Sequence, residues 1–479
     1  MYQNTITDIK YCLAPEEEAD MALDQSTYHP QVIQECGLYS DRLRMIGQQF
    51  RNGRYLEAVA DSKELLQILD RDDSLVFFEA VYYFAKALIY TGDTADGIEQ
   101  ARSALTRMEG KADQSSKRWK RLIGKFHNLL GYAYCVERNS YQLAREEFVL
   151  AMPYLWDSPE EYANVCDNLG RVYVELGEKD RAEKLIDKAL EIRRGLGSHY
   201  YDRAALSFIS RAIAHLTFGE LSQALEFSQQ AKAVFEETGS VRGVGLACIT
   251  LGRVLRQLGS RRCEYVISEC AEFLDQAIDN FRQAIAIFDL EIQEPVRLIE
   301  ACKEMGCAYR EYAFTMTIAH KDNRASAYRI RATECLEKAC QAAEAKHIPL
   351  YLSSCEELID THLQFQDYPE VHRWLRKARK VIRPFKACLD QIHSSTPVNY
   401  MDGLLYHLAQ IELLYSLLLA GRYACVSDRV SWATRAALVA AHYHAASQYS
   451  RRYSEAYWKR NFCSQDEKLF VEDNSVSNL

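Results

Sequence analysis

Small and apolar residues recur at fixed intervals along the chain, most clearly within residues 168–196. The positions that set this pattern are Gly170, Tyr173, Gly177, Ala182, Ile186 and Ala189. Residues three and four apart share one face of a helix, so the pattern predicts two amphipathic helices that meet near Gly177. Gly170 would allow the two helices to approach closely, with Tyr173 filling the space beside it. Ala182 would then begin the second helix with a small contact residue.

The same register recurs along most of the chain. The position equivalent to Ala182 is occupied in successive copies by Ala58, Gly97, Leu143, Ala182, Ala224, Ala277, Ala332, Val371 and Val426. These anchors are 39, 46, 39, 42, 53, 55, 39 and 55 residues apart, and the copies that begin at Gly252 and Gly306 hold about 13 and 14 additional residues. Alanines at such intervals also arise by chance in amphipathic helices. A glycine–tyrosine–glycine series in phase with alanine favours a true repeat.

The segment from Gly170 to Ala189 resembles the tetratricopeptide repeat (TPR), a helix-turn-helix unit of about 34 residues. The units here are longer, at about 40 residues. They are similar to the extended repeats of maltose-activator-type bacterial regulators and of animal spindle-orientation adaptors. The resemblance covers about residues 41–440 and implies an all-α fold. That fold is a right-handed α-solenoid of about nine TPR-like helix pairs, in which each pair buries its face against its neighbours.

The repeat register divides the chain into four segments. We expect a partly ordered lead-in at residues 1–40 and TPR-like repeats one to six at residues 41–290. Residues 291–460 are predicted to hold irregular repeats seven to nine, with a basic face. The polar residues 461–479 predict a flexible tail.

Composition agrees with a mostly helical chain. The 9 prolines and 21 glycines among 479 residues are about 1.9% and 4.4%, against about 5% and 7% in average proteins. The 15 cysteines contain no CxxC pair, which is typical of buried thiols in a reducing compartment rather than of a disulfide framework. The chain does not begin with a basic and then apolar stretch, and its most apolar segment, 404–419, is too short and too polar for a membrane span. We therefore expect a cytoplasmic protein.

Sequence motifs for catalysis or cofactor binding are missing from the chain. It has no phosphate-binding GxxxxGK[ST] loop, no HExxH zinc motif and no GxSxG nucleophile turn. A turn between repeats explains the glycines of residues 239–245, and an exposed helix explains His442 and His444. Cysteine–histidine catalysis stays open as an alternative, because its partners meet only in space. We interpret the chain as non-enzymatic, with no cofactor and no metal site.

The first helices of stacked pairs line a concave groove, and the repeat register assigns several polar residues to it. These are Lys86, Asn128, Asn168, Arg171, Arg253, Arg256, Lys303 and Arg310. The arginine fork pairs bidentately with carboxylates, so such a set could clamp an acidic peptide or chain terminus. The resemblance implies the same, since related repeats hold acidic peptide ends with Lys and Asn at these positions. The alternative is that these cations pair with Glu175, Glu300, Glu304 and Glu311 on the same surface.

A second basic feature lies in the last third of the chain. Residues 371–460 hold 14 Lys and Arg against 5 Asp and Glu, although the whole chain has a net charge of −9. Its densest part comprises Arg373, Arg376, Lys377, Arg379, Lys380 and Arg383. A solvated helix surface explains these residues most simply. Docking to an acidic partner or weak contact with nucleic acid is the alternative.

These patterns predict a protein–protein interaction scaffold or adaptor that binds a peptide or domain of its partner in the concave groove. The first alternative is a regulatory or sensor subunit that controls an effector, such as a protease, nuclease or signalling ATPase, within a complex. A weaker alternative is a helical-repeat protein associated with nucleic acid. The acidic net charge counts against that last alternative.

Overall fold

The computed structural model describes residues 30–69, 74–109, 116–136, 141–197, 201–262, 267–343 and 347–391, with side chains from 39 to 260 and from 267 to 382 within those ranges. Every regular element in these ranges is helical. The helices are α1 (Pro30–Arg51), α2 (Tyr55–Ile68), α3 (Leu75–Thr91), α4 (Thr94–Glu109), α5 (Lys117–Val136), α6 (Tyr141–Leu155), α7 (Pro159–Glu175), α8 (Lys179–Gly195), α9 (Tyr201–Thr217), α10 (Leu221–Glu237), α11 (Val241–Arg262), α12 (Ile267–Ala286), α13 (Pro295–Ile318), α14 (Asp322–Ala343), α15 (Ile348–Gln364) and α16 (Tyr368–Gln391). A π-helical turn, Ile287–Glu291, follows α12 directly.

The sixteen helices form eight consecutive pairs within the described ranges, from α1–α2 to α15–α16. Each helix packs mainly against its neighbours in sequence, which is the arrangement of a helical-repeat solenoid. The eight pairs correspond to the first eight copies of the repeat register. The ninth copy, with Gly421 and Val426, lies outside the described residues. The predicted all-α solenoid of TPR-like helix pairs is therefore confirmed for the part of the chain that the structure describes.

The glycine of the first helix sits where two helices of one pair touch. A Cβ atom on Gly170 would lie 2.7 Å from Ile186 Cγ1 and 3.2 Å from the carbonyl oxygen of Ala182. In the preceding pair, a Cβ on Gly131 would lie 2.6 Å from the ring of Phe148. Both distances are shorter than an ordinary carbon contact. These glycines therefore allow the close helix approach that the repeat pattern predicts.

The inserted residues of the sixth and seventh repeats lengthen helices. Helices α11 and α12 have 22 and 20 residues, and α13 and α14 have 24 and 22. Helices α7 to α10 have 17 residues each. Only three residues, 319–321, separate α13 from α14. The added residues in that pair thus continue the helical pattern on both sides of one short turn.

The array curves until its first repeats meet its later ones. A Cβ on Gly53, in the turn between α1 and α2, would lie 2.7 Å from Ile292 Cδ1. A Cβ on Gly92, at the end of α3, would lie 2.3 Å from the imidazole of His347. Tyr55 belongs to the same buried cluster as Ile292. We call this contact between the α1–α4 region and residues 287–300 and 347 the seam.

Among the described helices, none is long and apolar enough to cross a lipid bilayer.

Candidate functional site

The seam turns the concave face into a partly enclosed chamber of about 420 Å³. Its walls come from the first helices of seven pairs: α1, α3, α5, α7, α9, α11 and α13. Arg193 is the single lining residue contributed by a second helix, α8. A volume of this size falls within the range of about 300–1,000 Å³ that small ligands occupy in proteins. The chamber lining combines aromatic and charged side chains.

Five of the eight residues predicted for the groove line this chamber. They are Lys86, Asn128, Asn168, Arg171 and Arg253. Asn168 Nδ2 donates a hydrogen bond to Asn128 Oδ1 over 3.2 Å, which links α7 to α5 across one repeat. The other three predicted residues, Arg256, Lys303 and Arg310, lie on α11 and α13 outside the chamber lining.

The arginines of α11 are held by glutamates of α13. Arg253 Nη2 lies 2.5 Å from Glu300 Oε1, and Arg253 Nε lies 3.0 Å from Glu304 Oε1. Arg256 Nη2 lies 3.2 Å from Glu304 Oε2, and Arg256 also pairs with Glu311. Burial opposes ionisation of Glu304, but attraction to Arg253 and Arg256 outweighs it and lowers the pKa of Glu304 to about 2. These two arginines are therefore structural cations. Their pairing with glutamates of the same surface is the alternative to the clamp.

Two further predicted groove cations also have partners on a neighbouring helix. Arg310 Nη1 lies 2.8 Å from Glu357 Oε2 and 3.1 Å from Asp360 Oδ2, both on α15. Lys303 Nζ donates a hydrogen bond to the hydroxyl of Ser353 over 3.1 Å. The predicted pairing partner Glu175 is exposed at the end of α7 and takes no part in this network. Both cations bridge successive repeats.

Cations outnumber acids in the chamber lining by nine to four. Three of the four acids form close ion pairs: Glu161 with Arg121 at 2.6 Å, Asp167 with Arg193, and Glu300 with Arg253. The fourth, Glu160, lies 3.6 Å from Arg203. An acidic protein thus encloses a basic chamber in which the carboxylates are already engaged.

Lys86 and Arg171 differ from most of the other chamber cations. Neither forms an ion pair with a carboxylate among the described residues. Lys86 Nζ lies 4.1 Å from the centroid of the Phe50 ring and 5.8 Å from that of Tyr82. Burial, followed by repulsion from neighbouring cations, lowers the pKa of Lys86 to about 7. Together with the exposed Arg51 at the end of α1, these side chains are the cations that the chamber leaves available to a ligand.

Aromatic side chains form the wall nearest the seam. The rings of Tyr90 and Tyr132 stack with centroids 5.3 Å apart, and Phe50 meets Tyr90 edge-on at 4.8 Å. The guanidinium of Arg242 lies 5.2 Å from the centroid of Tyr90 and pairs bidentately with Glu294 at 2.8 and 3.0 Å. The pattern of repeats did not assign Arg242 to the groove. Its place at the first turn of α11 becomes part of the chamber only because the seam brings α11 and α13 against α3.

A buried polar cluster forms part of the chamber wall between α7, α8 and α9. Arg193 is only 2% exposed, and it contacts Asp167, the amide oxygen of Asn164 at 2.7 Å and the hydroxyl of Ser207 at 2.5 Å. Ser207 Oγ donates to Asp167 Oδ2 over 3.0 Å. This cluster was not predicted from the sequence. It fixes the orientation of three helices that line the chamber.

The basic stretch of α16 is partly accounted for by local contacts. Arg373 Nη1 lies 2.9 Å from Glu370 Oε2, and Lys377 Nζ lies 3.8 Å from the centroid of the buried Trp374 ring. Arg376 and Lys380 are exposed, and Arg379 is half-buried. The side chain of Arg383, like residues 392–460, lies outside the described part. Contact with an acidic partner or nucleic acid therefore stays a prediction.

The buried thiols are poorly suited to act as nucleophiles. Burial raises the pKa of the thiols of Cys135, Cys166 and Cys335 to about 12, which keeps them protonated and weakly nucleophilic. The described residues contain no cluster of three or more His, Cys, Asp or Glu side chains arranged to hold a metal ion. The chamber offers a charged and aromatic surface instead.

Comparison with known families and structures agrees with the helical-repeat architecture. The family model described as Tetratricopeptide repeat matches residues 161–237, the segment from α7 to α10. Residues 161–237 include the Gly170 to Ala189 pattern, so the resemblance to TPR proteins is confirmed there. The narrower similarity to maltose-activator-type regulators stays a prediction.

Several solved structures have a similar chain trace at low sequence identity. The apo form of RapI is 13% identical, with a TM-score of 0.45 over 87% of this chain and 99% of its own. The apo form of the quorum sensor NprR from B. thuringiensis is 12% identical, with a TM-score of 0.44 over 87% and 98%. BtubC (BKLC) from P. vanneervenii is 18% identical, with a TM-score of 0.34 over 50% and 91%. Likeness at this level carries no argument about function.

Proposed function

We propose that this chain is a non-enzymatic interaction protein that binds an acidic segment of a protein partner in its chamber. The observation that carries the proposal is the surplus of cations over acids in the chamber lining of a chain whose net charge is −9. Tyrosine and arginine, which dominate the lining, are the residues enriched at protein interfaces. A chamber of about 420 Å³ has room for a short segment or a chain terminus rather than for a folded domain.

Arg171 is the side chain best suited to test the proposal. It lines the chamber and forms no ion pair with a described carboxylate, so its reversal removes a ligand contact without breaking a structural one. Arg253 and Arg256 are unsuitable, because reversing either would place a new carboxylate against Glu300 or Glu304. Such a change is expected to unfold the α11–α13 contact whether or not a ligand binds there.

The experiment captures partners with tagged full-length chain from its native cell and compares Arg171→Glu with a matched control. Arg194→Glu is that control, because Arg194 is an exposed arginine of the same helix pair and is not part of the chamber. A photo-crosslinking residue at Tyr83, which lines the chamber, reports where the partner sits. We expect one partner to be captured by wild type and by Arg194→Glu, crosslinked from position 83 and lost with Arg171→Glu. A partner that survives Arg171→Glu and does not crosslink from position 83 would place the interaction elsewhere.

A regulatory or sensor subunit is the second candidate, and the seam favours it. Tyr90 and Arg242 line the chamber and also join the early repeats to the later ones. A ligand that contacts either residue therefore acts on the curvature of the whole solenoid. The prediction of long repeats similar to maltose-activator-type regulators belongs to this alternative. Hydrogen exchange of residues 50–55 and 287–294 tests it: the partner should change protection there in a regulatory subunit and leave it unchanged in a simple adaptor.

A further inference from the structure

Lys86 is the chamber cation whose surroundings have no structural explanation. Its amine lies over the Phe50 ring at 4.1 Å, and the neighbouring charges that act on it most strongly are positive: Arg51 of α1, Lys125 of α5, Arg203 of α9 and Arg242 of α11. The acids Glu160 and Glu161 of α7 also line the chamber. Tyr82, Tyr83 and Tyr90 of its own helix and Tyr132 of α5 complete the lining beside it. No described carboxylate lies within ion-pair distance of the amine.

The carboxylates nearest this group of cations pair with three of its other members. Lys125 lies 3.4 Å from Glu161, Arg203 lies 3.6 Å from Glu160, and Arg242 holds Glu294 at 2.8 Å. The acids of the chamber are thus committed, and Lys86 is left over. A lysine that serves packing is normally paired or extends its amine into water. Lys86 has no carboxylate partner among the described residues, and its half-buried side chain lines the cavity with the amine over the Phe50 ring.

We propose that Lys86 is the docking point for a carboxylate or phosphate group of the chamber ligand, and that the amine takes up a proton when this group binds. The inference rests on the proposed function for the place where the ligand sits and adds the chemistry that receives it. An anion beside Lys86 would compensate the positive groups around it and allow the charged amine in a partly buried site. Without an anion, a pKa of about 7 leaves a substantial fraction of the amine neutral near pH 7.

Proton uptake makes the affinity for the anion depend on pH in a definite direction. The ligand binds the protonated amine, and the fraction of protonated Lys86 in the free protein falls about tenfold between pH 6 and pH 8 for a pKa near 7. Anion binding should therefore weaken by up to about tenfold over that interval. An ordinary exposed lysine, with a pKa of about 10.4, would give no change there.

Trace acetylation of the full-length chain with acetic anhydride, mapped by mass spectrometry, tests both parts of the proposal. The labelling rate of Lys86 should level off above about pH 8, whereas the rates of the exposed Lys120 and Lys184 should keep rising, because only the neutral amine reacts. Two anions are then added in parallel: inorganic pyrophosphate as the phosphate probe and tricarballylate as the carboxylate probe. Either anion should slow labelling of Lys86 at pH 7 and leave Lys120 unaffected.

The two probes distinguish the sources of the anionic group. Protection by pyrophosphate alone points to a phosphorylated ligand, and protection by tricarballylate alone points to an acidic peptide or chain terminus. Protection by both assigns a general anion subsite. If neither anion protects Lys86, or if the labelling of Lys86 follows the same pH profile as that of Lys120, the proposal is wrong.

Two substitutions at position 86 separate charge from proton uptake. Lys86→Met keeps the length of the side chain and should abolish pyrophosphate or tricarballylate binding measured by calorimetry. Lys86→Arg keeps a permanent positive charge, so it should retain binding but lose proton uptake and the pH dependence. Undiminished binding by Lys86→Met overturns the inference. Should either variant fail to fold, the labelling of wild type still decides it.

Partner capture keeps this inference distinguishable from the proposed function. A partner that crosslinks from the chamber and binds Lys86→Met as well as wild type would refute the role of Lys86 and leave the interaction protein standing. If an anion protects Lys86 but the chain captures no chamber-bound partner, the role of Lys86 would stand and the proposed interaction protein would be refuted.

Discussion

The seam predicts that two glycines with the same backbone conformation will respond differently to the same substitution. Gly92 and Gly177 follow the first helices α3 and α7, with φ of +99° and +77°. The residue after each glycine donates a backbone hydrogen bond that closes the end of the helix. Asp93 N donates to Leu88 O over 2.8 Å, and Glu178 N donates to Tyr173 O over 2.9 Å. Only Gly92 touches a distant part of the chain. A Cβ at Gly177 would meet nothing within 4 Å.

The expected magnitudes follow from that difference. An alanine held at positive φ costs about 1–2 kcal/mol, and this applies to Gly92→Ala and Gly177→Ala alike. At Gly92 the new methyl would lie 2.3 Å from His347 Nε2 and 2.7 Å from Cε1. His347 is only 5% exposed, so its ring must displace neighbours to give way. Overpacking of this kind adds about 1–3 kcal/mol. We therefore expect Gly92→Ala to lower the free energy of unfolding by about 2–5 kcal/mol, against about 1–2 kcal/mol for Gly177→Ala.

Urea unfolding followed by circular dichroism gives the difference in stability, and hydrogen exchange locates it. Solenoids need not unfold in one step, so the exchange measurement carries the local information. Gly92→Ala should increase exchange in the peptides that contain residues 50–55 and 347–351, and Gly177→Ala should leave both peptides unchanged. Equal destabilisation by the two substitutions, with unchanged exchange near residue 347, would refute the seam as a contact in solution.

Two further predictions concern packing and charge. Gly131→Ala should lower the thermal unfolding midpoint, because overlap with the buried Phe148 ring outweighs a gain of about 1 kcal/mol in helix propensity. Gly195→Ala is the control: it has open space around it and should be neutral or slightly stabilising. Replacing Glu304 by Gln should destabilise the chain by about 3 kcal/mol at neutral pH, because two half-buried arginines each lose one of their two carboxylate partners. The pKa of Glu304 in the folded chain, about 2, is below its ordinary value of 4.5. The stability difference between wild type and Glu304→Gln should therefore persist above pH 4.5 and fade as the pH falls towards 2. Acid titrations followed by circular dichroism measure it. A midpoint unchanged by Gly131→Ala, or a Glu304→Gln difference independent of pH, would contradict the respective argument.

The helix pairs were predictable because their determinants are local. Gly170, Gly177 and Ala182 lie within one unit, and the close contacts at Gly170 and the positive φ at Gly177 are what those residue types allow. The seam was not predictable from that pattern. Gly53 and Ile292 are 239 positions apart, and no repeat register relates them. Their contact depends on the small rotation that each helix pair adds to the last, which accumulates over six repeats.

The pairing of the groove arginines was predicted only as an alternative, although the sequence carries a signal for it. Contacts between first helices of successive pairs join residues one repeat apart. The separation is 40 positions for Asn128 and Asn168 and also for Arg121 and Glu161. It is 47 positions for Arg253 and Glu300, where the repeats are longer. A cation that has an acid one repeat period further along is therefore expected to be structural.

That rule separates the available cations of the chamber from the structural ones. On the next first helix, 39 positions beyond Lys86, stands Lys125 rather than an acid, and Lys125 adds to the positive charge around Lys86. One period beyond Arg171, at a separation of 40, stands Arg211, whose own partner is Asp187. The chain of charge pairs that joins successive first helices is interrupted at these two positions. Under the proposal for Lys86, an anion from outside the chain would supply the negative charge that ion pairs such as Arg253 with Glu300 supply elsewhere in the solenoid.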